Sequence, residues 1–226
     1  MMNIIDIKFC NDEVYELKKV ALTSEDVERQ IRSINYNGIY EKYREVKDEN
    51  GVEKENIPYL CPIFYHYIFA NNTVPSPNEL IDEYFKIYDD VFTHREDTVL
   101  YRGRNYKRIA IEARLLRTYP SLIRDFHFYL LLKETRTFTK VIYSCNEDIA
   151  GRDIKIVHNG QEYIVSLMVQ TKRSLFFKKR KNEIRHQYGD NEIQIKLDLK
   201  KAKTIGDFYV YDKSHIATLI RTIKAT

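Results

Sequence analysis

The segment "GRDIKIVHNGQEYIVSLMVQTK" (residues 151–172) decides the fold of this chain, because it has the pattern of a β-hairpin. Two apolar, β-branched runs flank the Asn-Gly dipeptide at 159–160, which readily accepts the two positive φ angles of a type I′ turn. Polar residues interrupt this pattern: Asp153 begins the first strand, and Gln170 and Lys172 end the second. The segment therefore predicts a sheet that carries a carboxylate, an amide and an ammonium group at strand ends.

Residue spacing decides which of these groups share a face, since successive side chains of a strand point to opposite faces. On the second strand, Gln170 and Lys172 share a face with Ser166. A two-residue turn at 159–160 places Asp153 opposite Ser166, and therefore on the same face. The alternation thus predicts that all three polar groups lie on one side of the sheet.

The length of the turn decides how far apart the groups lie. With the tight turn, Gln170 is four residues beyond Ser166, which corresponds to roughly 13 Å along the strand. A longer loop near residues 161–162, or a bulge, would shorten the distance between Asp153 and Gln170, and both side chains would stay on the same face of the sheet. If the tight turn forms, Asp148 becomes the better-placed acid.

The three polar residue types indicate metal-assisted phosphate chemistry. A carboxylate and a second hard oxygen, here Asp153 and Gln170, are ligands that Mg²⁺ prefers in proteins. A neighbouring lysine, here Lys172, can orient an attacking water and stabilise charge that develops on a phosphate. The sequence therefore predicts a Mg²⁺ site, with Mn²⁺ as a substitute.

Two basic segments are candidates for contact with a nucleic-acid backbone. The first is a predicted helix at 174–189, immediately after the hairpin. Its candidate phosphate contacts, together with the residue before it, are Arg173, Lys178, Lys179, Arg180, Lys181 and Arg185. The second segment, "YRGRNYKR" at 101–108, alternates aromatic and basic residues and offers Arg102 and Arg104. A loop between two helices would have a similar composition.

The elements around the hairpin predict an α+β fold with a mixed central β-sheet flanked by helices. An amphipathic helix is predicted to begin at Pro120, and strands are expected on both sides of the hairpin. The predicted strands are 138–144, 152–158, 163–171, 192–199 and 207–212, and the closing helix is 214–223.

These residues and this element order resemble the PD-(D/E)XK nuclease superfamily, in its Mrr-like, restriction-endonuclease-like branch. The matching stretches are "GRDI" at 151–154 and "VQTK" at 169–172, where the second is the Gln-x-Lys variant of the motif. The family core is an αβββαβ arrangement, which agrees with the element order predicted between about residues 120 and 199. The resemblance covers the C-terminal half of the chain.

The resemblance implies a metal-dependent DNA endonuclease that hydrolyses phosphodiester bonds, in restriction, phage defence or a mobile element. By the family's pattern, Asp153 and Gln170 would bind the metal and Lys172 would be the catalytic lysine. An acid on the preceding helix would complete the metal site. The first candidate is Asp125, and the second is Glu112 in "AIEARLL".

Two alternative functions remain open at the level of sequence. Because Gln170 replaces the commoner acid, one alternative is a nuclease-fold protein that binds DNA with weak or no catalysis. The basic helix can equally be a docking element of a protein-interaction module. DNA is the expected partner, RNA is not excluded, and a homodimer or a partner protein is possible.

The first half of the chain predicts a mainly helical region, residues 1–98, in front of a nuclease core at 99–226. Ser24 is the expected N-cap of the first helix, and Ser76 with Pro77 begins another. The two helical segments at 61–70 and 78–92 form either a helix-turn-helix or a packed αα-hairpin. The acidic second segment favours the αα-hairpin, since phosphates would repel it.

Composition narrows the class of protein and its compartment. A chain of 226 residues with a net charge of only +4 is expected to use locally clustered cations rather than global charge. Three widely separated cysteines without a CxxC pair predict a cytoplasmic protein without disulfides or zinc. We expect neither a signal peptide nor a membrane helix, since no apolar run is long enough.

Overall fold

The computed structural model describes residues 21–46, 52, 57–143, 152–171 and 191–225. Within these residues helices and strands occur largely in separate runs, as is typical of an α+β fold. The helices are α1 (Ser24–Arg32), α2 (Tyr36–Tyr40), α3 (Cys61–Asn71), α4 (Pro77–Ile87), α5 (Arg108–Glu134) and α6 (Lys213–Ala225), with a 3₁₀ turn at Glu41–Tyr43.

The strands of the described residues form three sheets. The first is the antiparallel sheet β1 (Thr93–His94), β2 (Thr98–Tyr101) and β3 (Arg104–Lys107). The central sheet is β4 (Lys140–Ile142), β5 (Ile154–His158), β6 (Gln161–Val169) and β7 (Glu192–Leu197), in that order. The third is the hairpin of β8 (Lys203–Ile205) and β9 (Phe208–Val210).

The central sheet is mixed, which confirms the coarse fold prediction. Strands β4, β5 and β6 pair antiparallel, and β7 pairs parallel to β6. Its apolar face carries Ile156, Val165 and Ile195, which are all buried in the hydrophobic core. Core residues come from both sides of the predicted division at residues 98 and 99, and that division stays a prediction.

The β5–β6 hairpin has the tight turn that its sequence predicts. Asn159 and Gly160 have φ angles of 51° and 80°, as a type I′ turn requires. His158 consequently pairs with Gln161, and the ladder runs to Ile154 opposite Val165. The longer loop near residues 161–162 does not form.

Helix α5 corrects the prediction of a helix that begins at Pro120. The helix begins at Arg108 and passes through Pro120, which has no N–H to donate to the carbonyl of Leu116 four residues earlier. The hydroxyl of Tyr36 on α2 donates to this carbonyl at 3.0 Å. A residue far away in sequence therefore compensates for the hydrogen bond that proline removes.

Two further corrections concern the first half of the chain. The N-cap of α1 is Thr23 rather than Ser24, because Thr23 and Asp26 form a reciprocal capping box. The basic segment 101–108 is not a loop between two helices, since residues 101–107 form most of the β2–β3 hairpin and Arg108 begins α5. By contrast, the predicted cap of α4 is confirmed, with Ser76 as N-cap before a proline. Among the described residues, no helix combines the length and apolar character needed to cross a bilayer.

Candidate active site

Asp153 lies immediately before β5, at the end of the hairpin ladder. The β5–β6 pairing ends with Ile154 opposite Val165, directly after Asp153. The half-buried carboxylate of Asp153 accepts a hydrogen bond from the backbone N–H of Leu167 on β6. This bond fixes the carboxylate at the end of the central sheet.

Asp125 lies on the C-terminal half of α5, beside the half-buried Arg124. The Nε of Arg124 is 3.8 Å from Oδ1 of Asp125, and the two side chains are 13% and 16% exposed. The Arg124 Nε is buried and has no hydrogen-bond partner among the described residues. A low-dielectric setting strengthens the attraction between these two charges.

Tyr211, which follows β9, is a buried residue whose pKa is affected by both acids, Asp125 and Asp153. Its side chain is 0% exposed. Burial is the main reason that the pKa of its hydroxyl is raised above the ordinary value, and the carboxylates of Asp125 and Asp153 raise it further. The guanidinium of Arg124 and the backbone N–H of Met168 act in the opposite direction. Both predicted acids therefore lie within electrostatic range of one phenol.

Glu112, the second candidate for the upstream acid, lies elsewhere on α5. Thirteen residues separate it from Asp125, which corresponds to about 20 Å along a helix. Its carboxylate accepts hydrogen bonds from the Tyr43 hydroxyl at 3.0 Å and from Arg108 Nε at 2.7 Å. Glu112 is thus engaged by Tyr43 and Arg108, whereas Asp125 is the acid that affects the pKa of Tyr211 together with Asp153.

Gln170 is the predicted ligand that the structure does not bring close to Asp153. It is exposed, and its backbone N–H donates to the carbonyl of Leu197 at 2.9 Å, so β6 and β7 remain paired there. The tight turn keeps Gln170 four residues beyond Ser166, roughly 13 Å along the strand. Asp148, the acid expected to replace it for a tight turn, lies outside the described residues.

Most of the predicted cationic residues also lie outside the described residues. These are Lys172, Arg173, Lys178, Lys179, Arg180, Lys181 and Arg185. The described pair, Arg102 and Arg104, is exposed at the turn of the β2–β3 hairpin. The guanidinium of Arg102 lies 5.2 Å from the ring centroid of Tyr101, which leaves it at the protein surface.

The carboxylate chemistry of Asp125 and Asp153 suits a hard divalent cation. Mg²⁺ retains several waters and is commonly held by one or two carboxylates. Within the part of the chain that the structure describes, no group of three or more histidine, cysteine or acidic side chains meets in this way. Further ligands would therefore have to be water, backbone or residues beyond the described ranges.

Sequence reasoning did not find Arg124 and Tyr211. The sequence marks Arg124 only weakly as functional, because it is adjacent to the candidate acid Asp125 on a helix. It does not mark Tyr211 as functional, since the segment "DFYVYD" at 207–212 predicts only a strand. Its ring also borders an open cleft of about 630 Å³, on the side of Glu28, Glu134 and Asp212.

Comparison with known proteins does not assign the chain to a group. No protein-family model matches it, and neither curated proteins nor solved structures give a match. The chain's own residues and geometry are therefore the basis for its function.

Proposed function

We propose that this protein is a metal-dependent DNA endonuclease with a restriction-endonuclease-like core. The observation that carries the proposal is that the carboxylates of Asp125 and Asp153 both raise the pKa of the buried Tyr211 hydroxyl, and that Asp153 lies at the end of a mixed sheet. The order of elements also supports it, since a long helix is followed by three antiparallel strands and then by a strand parallel to the third.

The chain's own residues have distinct roles in this proposal. Asp125 and Asp153 hold Mg²⁺ or Mn²⁺, and Asp153 is kept in place by the Leu167 amide. The bound ion supplies Lewis acidity and a more acidic water. Lys172 assists the nucleophile, while the basic segment after it and Arg102 bind the sugar–phosphate backbone.

A second candidate function is binding of DNA by a nuclease fold that does not cut. The position of Gln170 favours it, because an exposed amide roughly 13 Å along the strand from Ser166 is a poor third ligand for Asp153. A site with only two carboxylates would bind metal weakly. Both candidate functions have DNA as the partner, and only the first includes catalysis.

Cleavage of a supercoiled plasmid with Mg²⁺ or Mn²⁺ tests the proposal. We expect the wild type to nick or linearise the plasmid, and Asp153→Asn and Lys172→Ala to lose at least about 100-fold in rate, or about 2.7 kcal/mol of transition-state stabilisation. Glu162→Gln is the matched control, since it removes an exposed acid of the same hairpin that is 3.8 Å from Lys155.

Binding measurements separate the remaining outcomes. Salt-dependent binding of duplex DNA by a wild type that does not cleave with either metal would support the second candidate and contradict the first. Absence of binding at low salt would contradict both and leave a protein-interaction module. A single-stranded RNA substrate in the same assay distinguishes RNA from DNA as the preferred target.

A further inference from the structure

The β2–β3 hairpin is a two-stranded ribbon whose turn lies in open space. Tyr101 and Arg104 form the last pair of its ladder. The turn residues between them, Arg102 and Gly103, have φ angles of 48° and 77°, as in a type I′ turn. Apart from its chain neighbours, no described atom lies within 4 Å of the position that a Cβ of Gly103 would take. The turn therefore projects from the surface of the described residues.

The strands behind the turn are anchored in the hydrophobic core, which gives the turn a fixed direction. The side chains of Val99, Tyr101 and Tyr106 are buried there. The ring of Tyr101 packs against Phe92 with centroids 5.3 Å apart. β3 then leads directly into α5, which begins at Arg108. The hairpin is thus a rigid extension of the core.

The exposed charges of this hairpin are separated between its two ends. Arg102 and Arg104 are exposed at the turn, and Lys107 is exposed on β3. The exposed acids Glu96 and Asp97 lie in the turn at the other end of β2, roughly 13 Å away. Both strands and the turn between them contain no acid. The projecting end therefore presents positive charge, which attracts the backbone of a nucleic acid.

The aromatic side chains of the hairpin indicate which form of nucleic acid this end suits. Single strands are commonly bound by aromatic rings on which the bases stack. The sequence alternates tyrosine and basic residues here, but the rings of Tyr101 and Tyr106 are both buried and do not reach a base. The hairpin therefore offers cations without a stacking surface, which suits the phosphates of a duplex.

The size of the hairpin favours DNA over RNA as that duplex. Neighbouring strands of a sheet lie about 4.8 Å apart. The major groove of B-form DNA is about 12 Å wide and admits a two-stranded ribbon. The major groove of an A-form RNA helix is narrow and deep, and side chains do not read it. A rigid ribbon with cations at its turn therefore fits a groove of DNA.

We propose that the β2–β3 hairpin enters the major groove of B-form DNA, where Arg102 and Arg104 bind the phosphates that border the groove. This inference rests on the proposed function, because it takes DNA as the partner and names the form that the protein binds. The contact lies apart from the candidate metal site, since about 25 Å of α5 separates Arg108 from Asp125.

Fluorescence anisotropy in the absence of divalent metal measures the binding step by itself. The probes are a DNA duplex of about two helical turns, one of its single strands, and an RNA duplex of the same sequence. We expect the DNA duplex to bind at least about 10-fold more tightly than either other probe, because only the DNA duplex offers a groove that admits the ribbon.

Variants of the two arginines test the hairpin itself. Arg102→Gly removes a cation and keeps the turn, because glycine accepts positive φ. We expect Arg102→Gly and Arg104→Ala each to weaken duplex binding by about 10-fold and to reduce the salt slope by about 1. Arg102→Lys should retain most of the affinity, since it keeps the charge. Arg136→Gly is the matched control, because Arg136 is exposed, has a φ of 52° and lies beyond the other end of α5.

The outcomes distinguish this inference from the proposed function. If Arg102→Gly and Arg104→Ala bind the duplex as the wild type does, or if Arg136→Gly loses as much affinity, the hairpin contact is wrong and the nuclease proposal stands. If the single strand or the RNA duplex binds as tightly as the DNA duplex, the groove assignment is wrong.

Two further outcomes concern the nuclease proposal. Duplex binding that depends on both arginines, without cleavage when Mg²⁺ or Mn²⁺ is added, would support the hairpin contact and contradict the nuclease. A wild type that binds none of the probes would contradict both.

Discussion

The two halves of helix α5, on either side of Pro120, carry acids of similar exposure and different surroundings. Glu112 is 15% exposed and Asp125 is 16% exposed. Glu112 accepts two hydrogen bonds of ordinary length, from Tyr43 and Arg108. The arginine beside Asp125 is 3.8 Å away and retains a buried N–H without a partner among the described residues.

This difference shows that burial alone does not identify a functional acid. A carboxylate whose acceptors are matched to nearby donors has a structural role, since its hydrogen bonds join α5 to the 3₁₀ turn at Glu41–Tyr43. Asp125 lies beside the buried Nε of Arg124 and, together with Asp153, raises the pKa of the buried Tyr211 hydroxyl. These surroundings are the reason that we propose Asp125, rather than Glu112, as the upstream acid.

The largest expected effect is on cleavage, and it compares the two acids directly. Asp125→Asn should reduce the rate of Mg²⁺-dependent plasmid cleavage by about 100-fold or more, because a metal ligand loses its charge. Glu112→Gln should change that rate by less than about 3-fold, since this residue lies about 20 Å away along the helix. The cleavage rates of both variants are measured under single-turnover conditions.

The stability of the same two variants completes this test. Glu112→Gln should lower the free energy of unfolding by about 1 kcal/mol, because Arg108 loses its charged partner in a partly exposed pair. Asp125→Asn should cost less. A cleavage defect in Glu112→Gln that exceeds the one in Asp125→Asn would reverse the assignment of the upstream acid.

The next effect concerns Pro120, which separates the two halves. Tyr36→Phe should lower the free energy of unfolding by about 2 kcal/mol, because the buried Leu116 carbonyl loses the donor that replaces the missing proline N–H. The phenylalanine keeps the ring contacts to Tyr119 and Phe208, so the change isolates the hydroxyl. Urea denaturation measures the difference.

A double-mutant cycle supplies the control for this prediction. Pro120→Ala restores a backbone N–H four residues after Leu116, so Tyr36→Phe should cost about 1 kcal/mol less in that background than in the wild type. Additive effects of the two substitutions would show that the hydroxyl does not compensate for proline.

The smallest effect concerns pH dependence on another face of α5, where His127 contacts Glu28 of α1 at 3.0 Å. Burial by itself would raise the pKa of Glu28, but hydrogen bonds from Lys203 and His127 outweigh it and hold that pKa below 4.5. The carboxylate therefore contributes stability above about pH 4.5, and this contribution is lost as the pH falls through the lowered pKa.

Between pH 5 and pH 3, the free energy of unfolding should fall by about 1 kcal/mol less in Glu28→Gln than in the wild type, because the substitution removes the titrating group. Burial also lowers the pKa of His127, so its protonation destabilises the fold in the same direction as the pH falls. Glu25→Gln, an exposed substitution on α1, is the control. An unchanged acid limb in Glu28→Gln would contradict this origin of the pH dependence.

Sequence patterns predicted the elements whose causes are local. The turn at 159–160 is confirmed because Asn and Gly accept positive φ regardless of the rest of the chain. The cap at Ser76 and the closing helix are confirmed for the same reason, since short-range hydrogen bonds and helical spacing decide them. The β2–β3 hairpin was missed, although Arg102-Gly103 has the same pair of positive φ angles.

The candidate site was predictable only in part. Asp153 and Asp125 were selected from the sequence by a motif and by a position on the preceding helix, and both raise the pKa of the buried Tyr211 hydroxyl. The distance between Asp153 and Gln170 depends on the turn, and the confirmed tight turn keeps them apart. The roles of Lys172 and of the basic helix after it stay predictions.

By itself, the sequence determined the hairpin, its faces and its register, because a two-residue turn and period-two alternation involve only neighbouring residues. Only the tertiary structure decided that α5 continues through Pro120, and that Tyr211 is buried where Asp125 and Asp153 both affect its pKa. The physical reason is the same in both cases. The hydroxyl of Tyr36 and the ring of Tyr211 act on residues more than fifty positions away, and packing of distant segments in one core brings them together.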